Sequence, residues 1–382
     1  MRVAMIVRGG LHPSGRHEVV PVLLSLLTRL ARHHEVHAFA VDHLPAPAHY
    51  TLSGFSVHDL GRPSARFGSR LAAQWRALDA AIDEQGPFDL VHGLWGDPAG
   101  VLAVRAARRR GLPSVVTCDS GEFVSLPDIG YGTQRTWFGR RRIAAVCRDA
   151  SVVHVCTPAM AAAARAWGAD PCVIPMGVAV PEDAPRAIDG PPWRLLQVAS
   201  LSAVKNPMLA VEAMAVLART HEVVLDLVGA DTLGGAVQAH AASLGLAGRV
   251  HAHGFVPHDA LEAFYRGAHL YLQTSRHEAA GVSVLEAAAA GVPIVGTRTG
   301  YLAEWDERGA ARAVGVPSPD GLAHDAAVLL DAPAERLRLA ATARDWVRAH
   351  DADWTASRID ALYQELATST ARTVMARPTT AG

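Results

Sequence analysis

The sequence predicts an α/β protein built from two domains, each with a parallel sheet. Short runs rich in Val, Ile and Leu alternate with Ala-rich helical patterns from the first residues onward, which is typical of parallel strands joined by helices. At 382 residues the chain is long enough for two domains of ordinary size, each with its own core. A proline-rich stretch at residues 179–192 separates two series of strands, and we interpret it as a linker.

Composition excludes several functional classes. The formal net charge is −1, so no global field favours nucleic acid or an anionic membrane. No apolar run is long enough to span a bilayer, so a membrane-spanning protein is excluded. The first apolar run is too short for the apolar region of a signal peptide. The 4 cysteines lack a C-x-x-C spacing, which indicates core residues in a reducing compartment and a cytoplasmic protein. The 19 histidines are scattered, and we expect no metal-ligand cluster.

The first half begins with a strand at residues 3–7, followed by a glycine-rich loop at residues 8–15 and a helix over residues 17–32. Such a turn lets the backbone approach a phosphate or sugar closely, although a plain flexible turn explains it equally well. The G-x-G-x-x-G order is absent, which argues against a dinucleotide site and an NAD-dependent oxidoreductase.

The strands that follow carry polar residues at their predicted ends. Strands are predicted over residues 36–41, 55–60, 89–92, 114–118 and 151–156, with a helix over 71–84. His92 is expected at a carboxyl strand end, where ligands bind in parallel sheets, although a lone His there is more often structural. Asp119 and Glu122 follow the next strand, and acidic loop residues are usually just solvated. Residues 135–142 put four arginines beside two aromatics, which fits a solvated helix face better than contact with anionic lipid or an acidic acceptor.

The second half opens with a strand over residues 194–199 and a helix over 208–219. Lys205 lies just before that helix, where a point charge can meet phosphate, although a surface lysine is normally uninformative. Further strands are predicted over 223–228 and 249–253, and helices over 322–330, 334–349 and 354–366. Asp351 and Asp353 form the only D-x-D motif, which we interpret as a helix cap rather than a metal site.

The segment Ser275–Thr297 contains the largest number of candidate functional residues. It predicts a turn with Glu278, a helix over residues 284–290 with Glu286 in its first turn, and a strand over residues 293–296. Backbone N–H groups of residues 281–284 are expected to lack helical partners and to face an anion. A capping box of Ser283 and Glu286 is the alternative interpretation of that second carboxylate.

This turn–helix–Gly–x–Pro–strand unit closely resembles the signature of the retaining family-4 glycosyltransferases of GT-B fold. Residues 173–178 resemble that family's interdomain I-P-N-G-V segment, with Met176 for Asn. Residues 298–304 resemble its second glycine turn, where Tyr301 replaces a glycine and is expected to narrow the pocket. The resemblance covers nearly the whole chain and implies an α/β GT-B fold, with two Rossmann-like parallel-sheet domains facing a central cleft.

The resemblance also implies the domain boundaries. An acceptor domain is expected at residues 1–178 and a nucleotide-sugar donor domain at 193–350, joined by the linker. A C-terminal helix at 351–370 is expected to cross back to the first domain, and residues 371–382 are expected to form a disordered tail.

By resemblance, the protein transfers a sugar from a nucleoside diphosphate sugar to an unknown acceptor, retaining anomeric configuration and using no metal or other cofactor. Glu278 would hold hydroxyls of the transferred sugar, and Glu286 those of the ribose. Lys205 would bind the diphosphate. The implied catalytic set is Glu278, His92 and Asp119. The implied donor-binding set is Gly15, Lys205, Ser200, Gly229, Phe255, Val256, Ala280, Gly281, Val282, Ser283 and Glu286.

Departures from the family pattern at Ser200, Asp119 and Met176 keep rival functions open. Ser200 stands where relatives usually place an arginine on the diphosphate, and Arg276, Arg298 or the helix end are candidates to compensate. Asp119 stands where many members have a histidine near the donor sugar; it would contact a hydroxyl, restrain a basic neighbour or mark a different acceptor. Phe255 has an alternative role as plain core.

The rival functions are a GT-B nucleotide-sugar epimerase and a non-catalytic sugar- or nucleotide-binding descendant. The expected partners are a nucleotide-sugar donor and a small-molecule, lipid-linked or glycan acceptor. A peripheral contact with the inner membrane face is a further expectation, and no nucleic acid partner is expected.

Overall fold

The computed structural model describes residues 1–64, 67–182 and 190–375, without side-chain detail at 67–68 and 369–375. It divides into two compact units. Unit 1 is Met1–Pro175 together with the segment that starts at Ala352, and unit 2 is Met176–Asp351. Part of the predicted linker, residues 183–189, and the last residues of the predicted tail, 376–382, lie outside the described residues.

Unit 1 contains a sheet in which described neighbours pair in the order β3-β4-β2-β1-β5-β6-β7-β8. The strands are β1 (Arg2–Val7), β2 (Glu35–Ala40), β3 (Ala48–Leu52), β4 (Phe55–Asp59), β5 (Leu90–Leu94), β6 (Ser114–Cys118), β7 (Val152–Val155) and β8 (Pro171–Val173). All pairs are parallel except the β3–β4 hairpin. Because helices cover both faces of a parallel sheet, the central strands β5 and β6 are buried along their whole length.

The helices of unit 1 up to residue 175 connect these strands. They are α1 (Pro21–Leu30), α2 (Phe67–Gln85), α3 (Val101–Arg110), α4 (Trp137–Asp149) and α5 (Pro158–Arg165). A π-helical segment, Gly96–Gly100, joins β5 to α3, and short 3-10 turns occur at Pro127–Ile129 and Thr133–Arg135. The first helix starts at Pro21 rather than at residue 17, because Val20 N–H donates to the Gly10 carbonyl and keeps the preceding residues in the loop.

Unit 2 contains a parallel sheet with the order β11-β10-β9-β12-β13-β14 among its described strands. These are β9 (Trp193–Val198), β10 (Val223–Val228), β11 (Val250–Gly254), β12 (Leu270–Gln273), β13 (Ile294–Thr297) and β14 (Arg312–Val314). The helices are α6 (Pro207–Leu217), α7 (Ala236–Ser243), α8 (Leu261–Gly267), α9 (Val282–Ala289), α10 (Leu302–Glu307), α11 (Pro319–Asp331) and α12 (Pro333–Ala349). A 3-10 turn, His258–Ala260, precedes α8.

The last helix, α13 (Ala352–Met375), returns the chain to unit 1. It packs on α1, and Ile359, Leu362 and Tyr363 join the core beneath the unit 1 sheet. Residues 371–375 are helical, so the helix continues past the predicted start of the tail. Asp353 lies in the first turn and pairs with Arg29 at 2.9 Å and Arg32 at 3.3 Å. Among the described residues, no helix is both long and apolar enough to cross a bilayer.

Candidate functional site

The carboxyl edge of the unit 2 sheet brings together two residues that are far apart in sequence. Lys205 Nζ lies 2.6 Å from Glu278 Oε1. Ser275 Oγ donates to the same carboxylate oxygen, also at 2.6 Å. The side chains of Lys205 and Glu278 are 29% and 12% exposed, so the pair is sheltered but reachable from solvent. Lys205 is also the only lysine among the 36 basic residues of the chain.

Neighbouring strands explain this meeting. β9 and β12 are adjacent, so the loops that follow them leave the same edge of the sheet. Thr274 Oγ1 donates to the carbonyls of Lys205 and Asn206 at 3.0 and 2.9 Å, and Arg276 N–H donates to the Val204 carbonyl. These bonds hold the Lys205 loop against the Glu278 loop and fix the spacing of the two charges.

The start of α9 lies next to this pair. Gly281 is the N-cap residue with φ of 92°, a left-handed conformation that favours glycine. Val284 N–H donates to the Gly281 carbonyl, so the expectation that all of residues 281–284 have unpartnered N–H groups is wrong. Among the described residues, the N–H groups of Val282 and Ser283 have no hydrogen-bond partner, and Ala280 is buried behind them.

Glu286 does not form the capping box. Its carboxylate lies 2.7 Å from Tyr265 Oη and 2.8 Å from His258 Nε2, while the Ser283 hydroxyl accepts from Tyr271. The hydrogen bond to Glu286 raises the pKa of His258. Burial, and then the Glu286 charge, raises the pKa of Tyr265. The capping interpretation is therefore wrong, and Glu286 is a carboxylate oriented by two side chains.

The ends of β9, β10 and β11 supply the other predicted donor residues. Gly229 packs so tightly that a Cβ there would lie 2.0 Å from the Ala199 carbonyl oxygen. Its N–H donates to the Gly254 carbonyl, which ties it to the turn carrying Phe255 and Val256. Phe255 is 56% exposed, so its interpretation as core is wrong. Ser200 is exposed, with its hydroxyl 3.4 Å from that of Ser202.

Two further expectations about this edge are wrong. Tyr301 does not narrow a pocket, because it is 1% exposed, stacks on Trp305 and accepts a hydrogen bond from Met176 N–H. Arg298 does not replace the missing arginine, because Asp306 and Glu307 hold its guanidinium at 2.7 and 2.8 Å.

His92 is a core residue rather than a strand-end residue. It lies in the middle of β5 and is 0% exposed, with Nδ1 2.6 Å from Tyr363 Oη and Nε2 2.8 Å from Thr117 Oγ1. Burial lowers the pKa of His92 to about 3, so the ring is neutral. Both nitrogens are occupied by protein groups, so the structure gives no support to the predicted catalytic role.

Glu122 is buried and Asp119 is half-buried, so neither is a fully solvated loop residue. Glu122 is 2% exposed and accepts from the N–H groups of Gly96 and Ser120 at 2.9 and 2.8 Å. Asp119 is partly exposed as a residue, but its Oδ1 is buried and has no partner among the described residues. Burial, and then the Glu122 charge, raises the pKa of Asp119 to about 8. Burial also raises the pKa of Glu122. The nearby charge is thus acidic, so Asp119 does not restrain a basic neighbour.

Gly15 closes a turn of the exposed loop after β1. Its φ is 65°, and its N–H donates to the His12 carbonyl at 2.9 Å. A Cβ at Gly15 would meet only Leu52, at 3.6 Å, whereas one at Gly10 would clash with Val20 at 2.6 Å. The loop therefore needs glycine at residue 15 for its backbone angle and at residue 10 for space as well.

The structure adds residues that sequence reasoning missed. The carboxylates of Glu278 and Glu286 are oriented by Ser275, Tyr265 and His258. Only Ser275 could have been predicted from the sequence, because it lies three residues before Glu278. Asp226, His251 and His253 place one ligand atom each within 4.8 Å of the others, so the expectation of no metal-ligand cluster is wrong. The alternation of His251 and His253 along β11 could have predicted this cluster, because side chains two residues apart on a strand share a face.

Two family descriptions match the two halves of the chain. Residues 18–177 match the glycosyl transferase 4-like domain, and residues 181–346 match the glycosyl transferases group 1. Each half of the chain therefore matches a glycosyltransferase family model. The paired charges at the unit 2 sheet edge lie within the second matched segment, as do Gly229, Gly281 and Glu286.

A relative and two solved structures are similar to this chain. The chain is 30% identical over 250 residues to the D-inositol 3-phosphate glycosyltransferase of Acidothermus cellulolyticus, which covers 58% of this chain and 55% of that relative. The chain thus spans about half the length of that relative. Its fold matches sucrose-phosphate synthase of Thermosynechococcus elongatus with a TM-score of 0.81 at 21% identity, covering 97% and 100% of the two chains. It matches Anabaena HepE in complex with UDP-glucose with a TM-score of 0.72 at 17% identity, covering 96% and 100%. The chain therefore has the GT-B fold class, with two Rossmann-like α/β domains.

Proposed function

We propose that this glycosyltransferase moves a sugar from a nucleoside diphosphate sugar to an acceptor, with retained anomeric configuration and without a metal. The observation that carries the proposal is the sheltered Lys205–Glu278 pair beside the unpartnered N–H groups at the start of α9. A cation and a helix N-terminus suit a diphosphate, and an adjacent carboxylate suits sugar hydroxyls. One short stretch of sheet edge thus offers groups for both halves of such a donor.

The proposed chemistry is electrostatic. As the glycosidic bond breaks, negative charge grows on the diphosphate, and Lys205 with the N–H groups of Val282 and Ser283 would stabilise it. Glu278 would hold hydroxyls of the transferred sugar, and Glu286, oriented by Tyr265 and His258, would hold the ribose. The acceptor would attack from the leaving-group face, so no carboxylate nucleophile is required.

The compartment is also a proposal. The 4 cysteines are free and Cys118, Cys147 and Cys156 are buried, which supports a reducing, cytoplasmic location. A peripheral membrane contact would use the exposed Trp137 and Phe138, which are 53% and 67% exposed beside Arg141.

Donor binding is the first test. Titration calorimetry of UDP, GDP and ADP should find one nucleotide that binds, and we begin with UDP because HepE was solved with UDP-glucose. Lys205→Ala should weaken that affinity by about 10-fold or more, since a charge-assisted hydrogen bond contributes about 1.5–3 kcal/mol. Glu278→Gln should abolish sugar transfer without weakening nucleotide affinity, because the carboxylate holds the sugar and competes with the diphosphate for Lys205. Unchanged affinity in Lys205→Ala, or near wild-type transfer in Glu278→Gln, would contradict these roles.

The single lysine offers a second readout. Acetylation of the native enzyme with an amine-reactive ester should modify only Lys205 and the N-terminal amine, because no other side-chain amine exists. The binding nucleotide should protect Lys205 and leave the N-terminal amine reactive. Equal modification of Lys205 with and without nucleotide would count against the phosphate contact.

Product analysis separates the rival functions. A transferase attaches the sugar to an acceptor, or slowly hydrolyses the donor when none is present. Release of an epimerised free sugar or nucleotide sugar would identify the epimerase. Donor binding with neither transfer nor hydrolysis would identify the non-catalytic descendant that Ser200, Asp119 and Met176 suggest.

A further inference from the structure

A cluster of two histidines and an aspartate lies on the unit 2 sheet, outside the groups that carry the proposed function. Asp226 lies on β10, and His251 and His253 lie on β11, the last strand in the order of the described sheet. β10 and β9 separate β11 from β12, the strand that precedes Glu278. None of the three side chains takes part in the proposed donor chemistry, so their meeting needs an explanation of its own.

The pairing of the two strands brings these side chains together. Asp226 is directly paired with His251 in the register of β10 and β11. Ala252 packs on the hydrophobic core, so the imidazoles on either side of it point to the opposite face of the strand. The register shifts by one residue after Leu227, which leaves His253 without a paired residue on β10. An extra residue in an edge strand re-aims its side chain, and here the His253 ring turns to the same carboxylate.

One carboxylate oxygen therefore faces both imidazoles. Asp226 Oδ1 lies 3.4 Å from His251 Nδ1 and 2.7 Å from His253 Nε2. One ligand atom of each residue lies within 4.8 Å of the other two. Ligand atoms about 2.1 Å from a tetrahedral zinc ion are roughly 3.4 Å from one another, so small side-chain rotations would bring this set to coordination distance. Two imidazoles and one carboxylate form a zinc donor set that leaves a fourth position for water.

The surrounding side chains orient this set. Arg194 Nη1 donates to the other carboxylate oxygen, Asp226 Oδ2, at 3.1 Å and so keeps Oδ1 towards the imidazoles. The His253 ring packs edge-on against Phe264, with ring centroids 4.8 Å apart. The Asp226 side chain is buried, whereas those of His251 and His253 are 43% and 33% exposed and so open to an ion from solvent. The Arg194 charge opposes a cation, but its side chain is 49% exposed, so solvent screens that repulsion.

We propose that Asp226, His251 and His253 bind a zinc ion that ties β11 to β10. An edge strand pairs with the sheet on one side only, and a shared ion would add a second link between the strands beside their backbone hydrogen bonds. Each histidine would coordinate through the nitrogen that faces the carboxylate and carry its proton on the other ring nitrogen. Imidazole ligands favour Zn²⁺ over Mg²⁺ or Ca²⁺, which prefer oxygen. The ion would be structural and would take no part in the proposed transfer.

Zinc binding is tested on the full chain by competition with a fluorescent zinc indicator. The wild type should bind one equivalent tightly. His251→Gln and His253→Gln should each weaken it by at least the roughly 10- to 100-fold that loss of a group behind a metal ligand costs. Both imidazoles are partly exposed, so circular dichroism of the two variants should match the wild type. His240→Gln is the matched control, because His240 is a partly exposed histidine of unit 2 that pairs with Glu212 alone, at 3.1 Å; it should keep the wild-type zinc affinity.

Two further arms assign the site. Zinc should raise the thermal midpoint of the wild type and of His240→Gln but not that of His253→Gln, because the ion binds the folded strands. An excess of Mg²⁺ of about 100-fold should leave the zinc bound, and its displacement would contradict imidazole ligands. Equal zinc affinity in wild type, His251→Gln and His253→Gln would overturn the inference. So would loss of the tight equivalent in Glu286→Gln, which would assign the zinc to the pair of Glu286 and His258. Failure of nucleotide binding would sink the proposed function and leave the zinc site standing.

Discussion

At the scale of single residues, the fold shifts the protonation of Asp119. Its Oδ1 is buried and unpartnered among the described residues, and the nearby Glu122 carboxylate adds repulsion to the desolvation. Both effects favour the protonated acid, so the pKa of Asp119 rises to about 8. Asp119 therefore stays neutral in the folded protein over a range in which it is ionised in the unfolded chain.

This difference predicts a pH-dependent stability. Because the folded pKa of Asp119 is raised from 3.8 to about 8, unfolding releases a proton between those values. The free energy of unfolding should be highest below about pH 4 as far as this group is concerned and should fall towards pH 8. Urea denaturation at pH 5 and pH 8 measures it.

Asp119→Asn should reduce that pH dependence, because an amide cannot release the proton. Glu122 contributes with the same sign, so part of the slope should remain. Asp345→Asn is the control, since this exposed carboxylate should leave the slope unchanged. A slope as steep in Asp119→Asn as in the wild type would assign the effect elsewhere.

The distance in sequence from a predicted strand end correctly placed Lys205 and Glu278 at the sheet edge. The same reasoning misplaced His92. A loop residue after a parallel strand must lie at the sheet edge, whatever the details of its packing. His92 was assigned to such a strand end because the strand was predicted to stop at residue 92. The strand continues to Leu94, and a Cβ at Gly93 would lie 2.8 Å from the Gly100 Cα, so this glycine serves close packing rather than a turn.

At the scale of elements, the Glu278 loop is held by an unusually close backbone contact. A Cβ at Gly300 would lie 2.2 Å from the Ala280 carbonyl oxygen, and Tyr301 N–H donates to that same oxygen. The turn after β13 thereby supports the residues that lead into α9.

Gly300→Ala should destabilise the protein by about 3 kcal/mol or more. The new Cβ would force the backbone of residue 280 to shift, and alanine would also have to adopt a positive φ. Gly245→Ala separates these two costs: its φ of 72° is similar to the 56° of Gly300, but its Cβ would meet nothing within 4 Å. That variant should lose only about 1–2 kcal/mol. Thermal denaturation of both variants, with nucleotide affinity measured alongside, checks the difference. An equal loss of stability in the two variants would mean that the Glu278 loop moves aside at little energetic cost.

The elements that the sequence predicted best are the long buried runs. The strand over residues 223–228 was predicted with the bounds it has, since its side chains are almost all buried. The hairpin strand Ala48–Leu52 was missed because only Leu52 is buried, while the four residues before it are half-buried or exposed. β12 was missed because four residues are too few to show a period.

At the scale of the whole molecule, unit 1 is discontinuous in sequence and unit 2 is continuous. The core of unit 1 includes Ile359, Leu362 and Tyr363 from α13, and the Tyr363 hydroxyl also meets His92 inside the sheet. Periodicity predicted a final helix, but only the resemblance to a family indicated where it packs. An apolar helix face shows that it is buried and not which part of the protein buries it.

This architecture predicts different fates for the two isolated pieces. Residues 176–351 alone should unfold cooperatively by circular dichroism and should bind the nucleotide, because every proposed diphosphate contact lies within them. Residues 1–175 alone should not show a cooperative transition, since they lack the α13 part of their core. Nucleotide binding that requires both pieces would contradict a donor site built by unit 2.

The contact between Lys205 and Glu278 has a bearing on turnover. While no donor is present, each group satisfies the other, and a bare anion would have to draw Lys205 away without offering Glu278 anything in return. On the proposed roles, a complete nucleotide sugar would supply a replacement for both partners at once. After transfer Glu278 would be without sugar hydroxyls, and its renewed attraction for the ammonium would compete with the diphosphate and favour its release.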